Sequence, residues 1–266
     1  MINKVKVFLY AGITDAQIEQ WAEGRNIFFV LSLGRSGTKL LADLLNEAPG
    51  TCVAHEPVIE DFRAHQEAFH SEESARNYIR HFRRKEIYLR VGKEAISTYG
   101  EVNSVLRRHC NALREAFPNA TFIHLIRDGR DVVRSMISRK TMTLWDDHTR
   151  HIYPTEGDPY RTKWSDMSRF ERLCWYWQVE NRYLRAFVEE KVRFEELITS
   201  YEYFKQNILY PLKLEISEDV WRKVMNVRKN VTEEYKIPHW SQWDGVKLES
   251  FRKICGEEMI KNGYSL

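Results

Sequence analysis

Residues 27–47 read IFFVLSLGRSGTKLLADLLNE, and this stretch decides the fold. Ile27 to Leu33 form an apolar run with β-branched and aromatic side chains, the signature of a buried strand. From Leu40 the apolar residues Leu40, Leu41, Leu44 and Leu45 recur at helical spacing. Gly34 and Gly37 punctuate the junction, and without Cβ atoms they permit positive φ and a close approach of the backbone to a ligand. A strand, a glycine-hinged loop and a helix in succession make an anion site. The N–H groups of the helix's first turn have no intrahelical acceptor, and the positive end of the dipole points into the loop.

The kind of anion follows from what the loop lacks. An ATP or GTP loop reads G-x-x-x-x-G-K-[ST], with the lysine directly after the second glycine and a hydroxyl next to hold Mg²⁺. Here Gly37 is followed by Thr38 and only then by Lys39, while Arg35 and Ser36 put a planar charge and a hydroxyl inside the loop. A guanidinium pairs bidentately with an oxyanion and needs no metal to do so. The dinucleotide pattern G-x-G-x-x-G is absent as well, because two residues separate Gly34 from Gly37.

A second constellation, FPNATFIHLIRDGRDVVRSMISR at residues 117–139, repeats the grammar. Pro118 and Asn119 make a turn, Thr121 to Ile126 a buried strand, and Asp128-Gly129 a break before a helix that begins near Asp131. Arg127 then stands at the strand's carboxyl end, where open α/β sheets place their ligands. Ser135 follows eight residues later on the helix, so the two side chains can share one phosphate.

With both segments in view, the chain resembles the sulfotransferases that use 3′-phosphoadenosine 5′-phosphosulfate. Arg35-Ser36-Gly37-Thr38-Lys39 fits that family's [KR]-[SG]-G-[ST]-[TS] loop for the 5′-phosphosulfate, except that Lys39 replaces the second hydroxyl residue. Arg127 and Ser135 fit its spacing for the 3′-phosphate. VRFEEL at 192–197 resembles the family's VRYEDL strand, and GVKLESFRKICGEEMIKNGYSL at 245–266 its C-terminal helix ending in Gly-Tyr. The resemblance implies a three-layer α/β fold of the P-loop NTPase type, with a mostly parallel sheet and helices on both faces. It also implies transfer of a sulfuryl group to a hydroxyl acceptor, with the phosphosulfate nucleotide as co-substrate and no metal.

Sulfuryl transfer needs a base on the acceptor side and positive charge on the leaving phosphate. Arg35, with Lys39, is the candidate for the charge. TCVAHEPV at 51–58 reads as a short strand whose end, His55-Glu56-Pro57, lies on the same rim as the loop. Relatives of the tyrosylprotein type carry a catalytic Glu at about this distance after the loop. Imidazole, with a pKa of about 6.5, needs little tuning to take a proton near neutrality, whereas Glu at about 4.3 must be raised. Chemistry favours His55 and family position favours Glu56, and both remain candidates for the base.

Elsewhere, residues 88–117 read as a strand, a loop with Lys93 and Glu94, and an amphipathic helix whose Val105, Leu106, Ala112 and Leu113 face the sheet. Lys93 and Glu101 are expected to border the rim, and the basic run RHFRRK at 80–85 to be a solvated helix face. RFERLCWYWQVENRYLRAFVEE at 169–190 has the spacing of a core helix. HWSQWD at 239–244 reads as a substrate-adjacent loop, and the irregular residues 140–168 as a lid or acceptor loop.

With 266 residues, 43% of them hydrophobic, the chain can bury a sizeable core, and no linker-like stretch divides it, so residues 1–266 are expected to form one sulfotransferase domain. A net charge of +3 gives no suggestion of a nucleic-acid partner. Cys52, Cys110, Cys174 and Cys255 are far apart, and no metal-ligand spacing stands out. No long apolar segment occurs, so a cytoplasmic enzyme without a membrane span is expected. The acceptor, whether sugar, lipid or other small-molecule alcohol, and the oligomeric state are not legible. The alternatives are a P-loop small-molecule kinase, which the missing G-K-[ST] argues against, and a non-catalytic nucleotide-binding protein on the same fold.

Overall fold

The computed structural model describes residues 10–92, 94–226 and 234–266. Strand β1, Asn26–Ser32, is the middle of a five-stranded, wholly parallel sheet of order β2-β3-β1-β4-β5. The others are β2 Thr51–Ala54, β3 Thr98–Asn103, β4 Thr121–Ile126 and β5 Lys191–Arg193. Parallel neighbours require long crossovers. The helices that supply or flank them are α1 Asp15–Glu23, α2 Thr38–Leu45, α3 Glu60–His70, α4 Glu72–Tyr78, α5 Arg84–Val91, α6 Cys110–Ala116, α7 Gly129–Ile137, α8 Arg169–Phe187, α9 Phe194–Thr199, α10 Glu218–Met225 and α11 Gly245–Lys261.

β1 is buried on both faces, which is why it reads as an unbroken apolar run. Its alternate residues go to different clusters. Ile27, Phe29 and Leu31 pack with Trp21 of α1, Leu113 of α6 and Leu184 of α8, while Phe28 and Val30 pack with Leu41 and Leu44 of α2 and Trp221 of α10. Helices therefore cover both sides of the sheet, the three-layer arrangement expected from the sequence. A third cluster, with Leu33, Ile126, Val133, Trp177 and Met259, joins α7, α8 and α11 at the carboxyl rim. The chain leaves β1 toward β2 and β3 and later returns to build β4 and β5 on the other side. The loops after β1 and β4 thus flank a switch point, the crevice where such sheets bind ligands.

Four expectations are corrected. Residues 88–91 end helix α5, and the strand of this region is β3, which begins ten residues later than read. Its signal was masked because Gly100 lies where a Cβ would meet the Phe28 ring at 2.0 Å, and because Glu101 and Asn103 are polar yet buried. Glu101 does not border the rim; it is fully buried against Arg83. The basic run is not a solvated face throughout, since Arg83 and Arg84 are buried. VRFEEL contributes only two residues, Val192 and Arg193, to a strand before turning into α9. Lys93 lies outside the described residues. Among the described residues no helix is long and apolar enough to cross a membrane.

Candidate active site

The loop between β1 and α2 holds two residues in the left-handed region, Arg35 at φ 75° and Gly37 at φ 87°. Glycine adopts this conformation freely, but for arginine it costs on the order of 1 kcal/mol or more, and such strain collects at functional sites. Gly37 is also fixed sterically, because a Cβ there would sit 2.0 Å from the Phe194 ring. As N-cap of α2 it offers no side-chain cap, so the amides of the first turn face the loop. Ser36 and Thr38 are buried beside it.

The two segments singled out in the sequence meet here. Arg35 Nε donates to Ser135 Oγ at 2.9 Å, across 100 residues of chain. Arg127 Nη1 donates to the Arg35 carbonyl at 3.1 Å, its guanidinium lies 5.2 Å over the Phe194 ring, and Asp131 stands 3.6 Å from Nη2. Arg127 Nε is buried with no partner among the described residues. Burial, and after it the neighbouring Arg139 and Arg127, push the Arg35 pKa below its ordinary value. Lys39 is at the start of α2 as expected, but its ammonium is paired with Asp43 one turn on and is half exposed.

The turn that carries Arg127 is held by Trp177, Glu195 and Tyr264, to which the sequence reading gave no part in the phosphate site. The Trp177 indole donates to the Arg127 carbonyl at 3.3 Å. Glu195 accepts the Asp128 amide at 2.9 Å and the Tyr264 hydroxyl at 2.8 Å. The VRFEEL segment and the terminal Gly-Tyr are therefore supports of this turn. The Asp128 carboxylate is taken by Arg130, whose guanidinium stacks 4.0 Å over Trp240. In the 239–244 loop, Trp243 is a core residue packed edge-on to Phe170 and Phe251, whereas Trp240 lies against α7 through Arg130.

His55 and Glu56 reach the same rim just beyond β2. His55 Nε2 is 3.0 Å from Thr38 Oγ1 and 3.9 Å from Glu56 Oε1. Burial is the main cause that lowers the His55 pKa, so the ring is neutral at pH 7. Glu56 takes a positive φ of 46°, and its Oε1 accepts both the hydroxyl and the amide of Ser104. Ser104 and Arg35 together border a cavity of about 190 Å³. Its walls include Phe62, Met136 and, from the 140–168 insert, Asp146 and His148, and its floor includes His65, Arg107 and Tyr176. These floor residues come from three distant segments, and no local pattern announces them.

The profile of the sulfotransferase family matches residues 28–218, most of the chain, and the protein belongs to that family. It is accordingly a transferase that moves sulfuryl groups. Among solved structures, the chain is similar to sulfotransferase STF9 from Mycobacterium avium, at 13% identity and a TM-score of 0.52, over 94% of this chain and 82% of that one. It is also similar to STF1 from Mycobacterium tuberculosis H37Rv, at 16% identity and 0.48, over 92% and 81%. A third is the mouse sulfotransferase SULT7A1 complexed with PAP, at 10% identity and 0.47, over 92% and 89%. At these identities the likeness bears on the fold alone. No curated protein matches the sequence.

Proposed function

We propose that the chain transfers a sulfuryl group from 3′-phosphoadenosine 5′-phosphosulfate to the hydroxyl of a small acceptor seated in the 190 Å³ cavity. In this reading the backbone of Arg35, Ser36, Gly37 and Thr38 receives the 5′-phosphosulfate, and Arg127 with Ser135 receives the 3′-phosphate. The observation that carries it is the meeting of the two phosphate segments through the Arg35–Ser135 and Arg127–Arg35 bonds, beside a buried Arg127 Nε that has no partner among the described residues. A buried guanidinium N–H left without an acceptor is costly, and a phosphate oxygen supplies the acceptor. Lys39 is left out of the proposed contacts because its ammonium is held by Asp43.

Glu56 is the proposed base and His55 a positioning residue. Geometry comes before pKa in this choice. The Glu56 carboxylate is aimed by Ser104, which borders the cavity, whereas the His55 Nε2 is engaged with Thr38 in the loop wall. In the step, the acceptor oxygen forms a bond to sulfur, its proton goes to Glu56, and the bond from sulfur to the bridging oxygen breaks. The electron pair leaves on the 5′-phosphate. Arg35 stabilises that developing charge from a strained backbone position fixed by Ser135 and Arg127.

Calorimetric titration with 3′-phosphoadenosine 5′-phosphate, in parallel with Mg-ATP, tests the donor class. We expect micromolar binding of the bisphosphate without metal, weakened about 100-fold or more in Arg127→Ala, as the loss of charge-assisted bonds to a phosphate implies. Preference for Mg-ATP would replace this reading with the kinase. With a working acceptor, Glu56→Gln should lower kcat by about 10²–10⁴ with bisphosphate affinity little changed. A kcat within threefold of wild type would remove Glu56 as the base.

A further inference from the structure

The floor of the cavity has a chemistry of its own. Arg107 is buried, and its Nη2 lies 2.8 Å from His65 Nε2. A guanidinium has no acceptor, so toward Arg107 the His65 Nε2 presents its lone pair and the neutral ring carries its proton on Nδ1; Glu180 Oε1 stands farther from the same Nε2, at 3.4 Å. Burial, and after it Arg107, lower the His65 pKa to about 4, in agreement with a neutral ring. His65 is itself buried, and Nδ1 has no partner among the described residues. Arg107 Nε is likewise buried without a partner among the described residues. The Tyr176 hydroxyl accepts from Arg107 Nη2, which leaves its own hydrogen to be donated. Glu180, the one carboxylate in this cluster, is already taken by Arg107 and Arg108.

We infer that this floor receives an oxygen that only accepts hydrogen bonds, so that the acceptor is a compact alcohol or phenol bearing a carbonyl or carboxylate group. The inference rests on the donor site proposed above for which end of the molecule reacts. His65, Arg107 and Tyr176 present donors, and a hydroxyl or amine at the floor would bring a further donor beside Glu180, which Arg107 and Arg108 already occupy. The walls between floor and loop carry the apolar Leu33, Phe62, Val105 and Met136, and the Asp146 carboxylate in the same wall is taken by the amides of Met142, His148 and Thr149 and by the Thr149 hydroxyl. At the other end stand Arg35 and Ser104, the latter bound to Glu56. A molecule whose oxygen rests on the floor therefore directs its opposite end to the reactive groups. The volume, about 190 Å³, is below the roughly 300–1,000 Å³ of sites that enclose drug-sized ligands, which argues for a compact body over an extended chain.

Three phenols of like size test this: 4-hydroxybenzoate, 4-hydroxyacetophenone and 4-ethylphenol, each titrated into the free protein and into its complex with 3′-phosphoadenosine 5′-phosphate. We expect the carboxylate, the ketone or both to bind at least about tenfold tighter than 4-ethylphenol, which lacks the oxygen. The two oxygen-bearing arms separate carboxylate from carbonyl. The advantage should shrink at least threefold in Tyr176→Phe, and in His65→Leu should the first variant not fold, with bisphosphate binding unchanged. Equal or tighter binding of 4-ethylphenol would overturn the inference and assign the floor donors to buried water. Binding by none of the three, or a preference that survives both substitutions, would overturn it too. Failure of the bisphosphate to bind would sink the donor reading instead, and the titrations of the free protein would still decide this one.

Discussion

Two buried ion clusters sit below the carboxyl rim, and they are built with opposite charge balance. In one, Arg83 alone faces two carboxylates, Asp61 at 2.9 Å and Glu101 at 2.7 Å, with Tyr78 and Tyr99 donating to the same acids. In the other, Glu180 alone faces two guanidiniums, Arg107 at 3.0 Å and Arg108 at 2.7 Å, beside the neutral His65. Their titration differs accordingly. Burial raises Asp61 to about 6 even against the pull of Arg83. Burial also acts to raise Glu180, yet Arg107 and Arg108 together hold it well below the usual carboxylate range. The ratio of charges, more than burial itself, decides whether a buried acid is ionised at low pH. The acid-rich cluster ties α3 and β3 to the helical segment that ends at Arg83, whereas the arginine-rich one forms a cavity floor; among the described residues each keeps buried guanidinium nitrogens without a partner, Arg83 Nη1 in the first and Arg107 Nε and Arg108 Nη2 in the second.

The largest effect should come from the arginine-rich cluster. Glu180→Gln leaves Arg107 and Arg108 buried with no carboxylate, and breaking such a pair costs about 3–5 kcal/mol. Urea denaturation at pH 7 measures it, and a loss below 1 kcal/mol would break the contrast. The sign with pH is also fixed. A carboxylate depressed in the folded state contributes stability that is present above its unfolded value of about 4.3 and is lost as pH falls through the folded value. His65 acts in the same direction, since its lowered folded pKa of about 4 makes protonation below about 6.5 cost stability.

How much of this was legible in the sequence follows from how local each signal is. The loop and the Arg127 turn were readable because strand, glycine and arginine lie within a few residues, whereas the bond between Arg35 and Ser135, which the sequence reading had assigned to different phosphates, joins residues 100 apart. Glycine was expected to carry the loop's positive φ, but Arg35 shares it with Gly37, and nothing in the residue type foretells that. β3 was missed because its buried side chains include Glu101 and Asn103, whose burial makes sense only with Arg83 opposite them. For the same reason the run at 80–85 looked solvated: an inward arginine is indistinguishable from an outward one until its acids are placed. The cavity floor needs residues 65, 107 and 176 side by side, a matter of helix packing with no local trace.

The smallest effect, and the sharpest test of the contrast, belongs to Asp61. Asp61→Asn removes one of two acids, and Arg83 keeps both oxygens of Glu101, at 2.8 and 2.7 Å. The cost at pH 7 should stay within about 1 kcal/mol, because the lost attraction is offset by the relief of burying one charge fewer. The pH course is the reverse of that for Glu180. With a folded pKa of about 6 against an unfolded value of about 3.9, native Asp61 keeps a proton that the unfolded chain has already lost. Its contribution to stability is therefore full below about 4 and falls as pH rises toward 6. The asparagine variant lacks this titration, so its stability relative to wild type should improve between pH 4 and pH 7, measured by urea denaturation at each pH. A relative stability that worsens over that window would mean that Asp61 is held ionised as Glu180 is, and that the two clusters respond to acid alike.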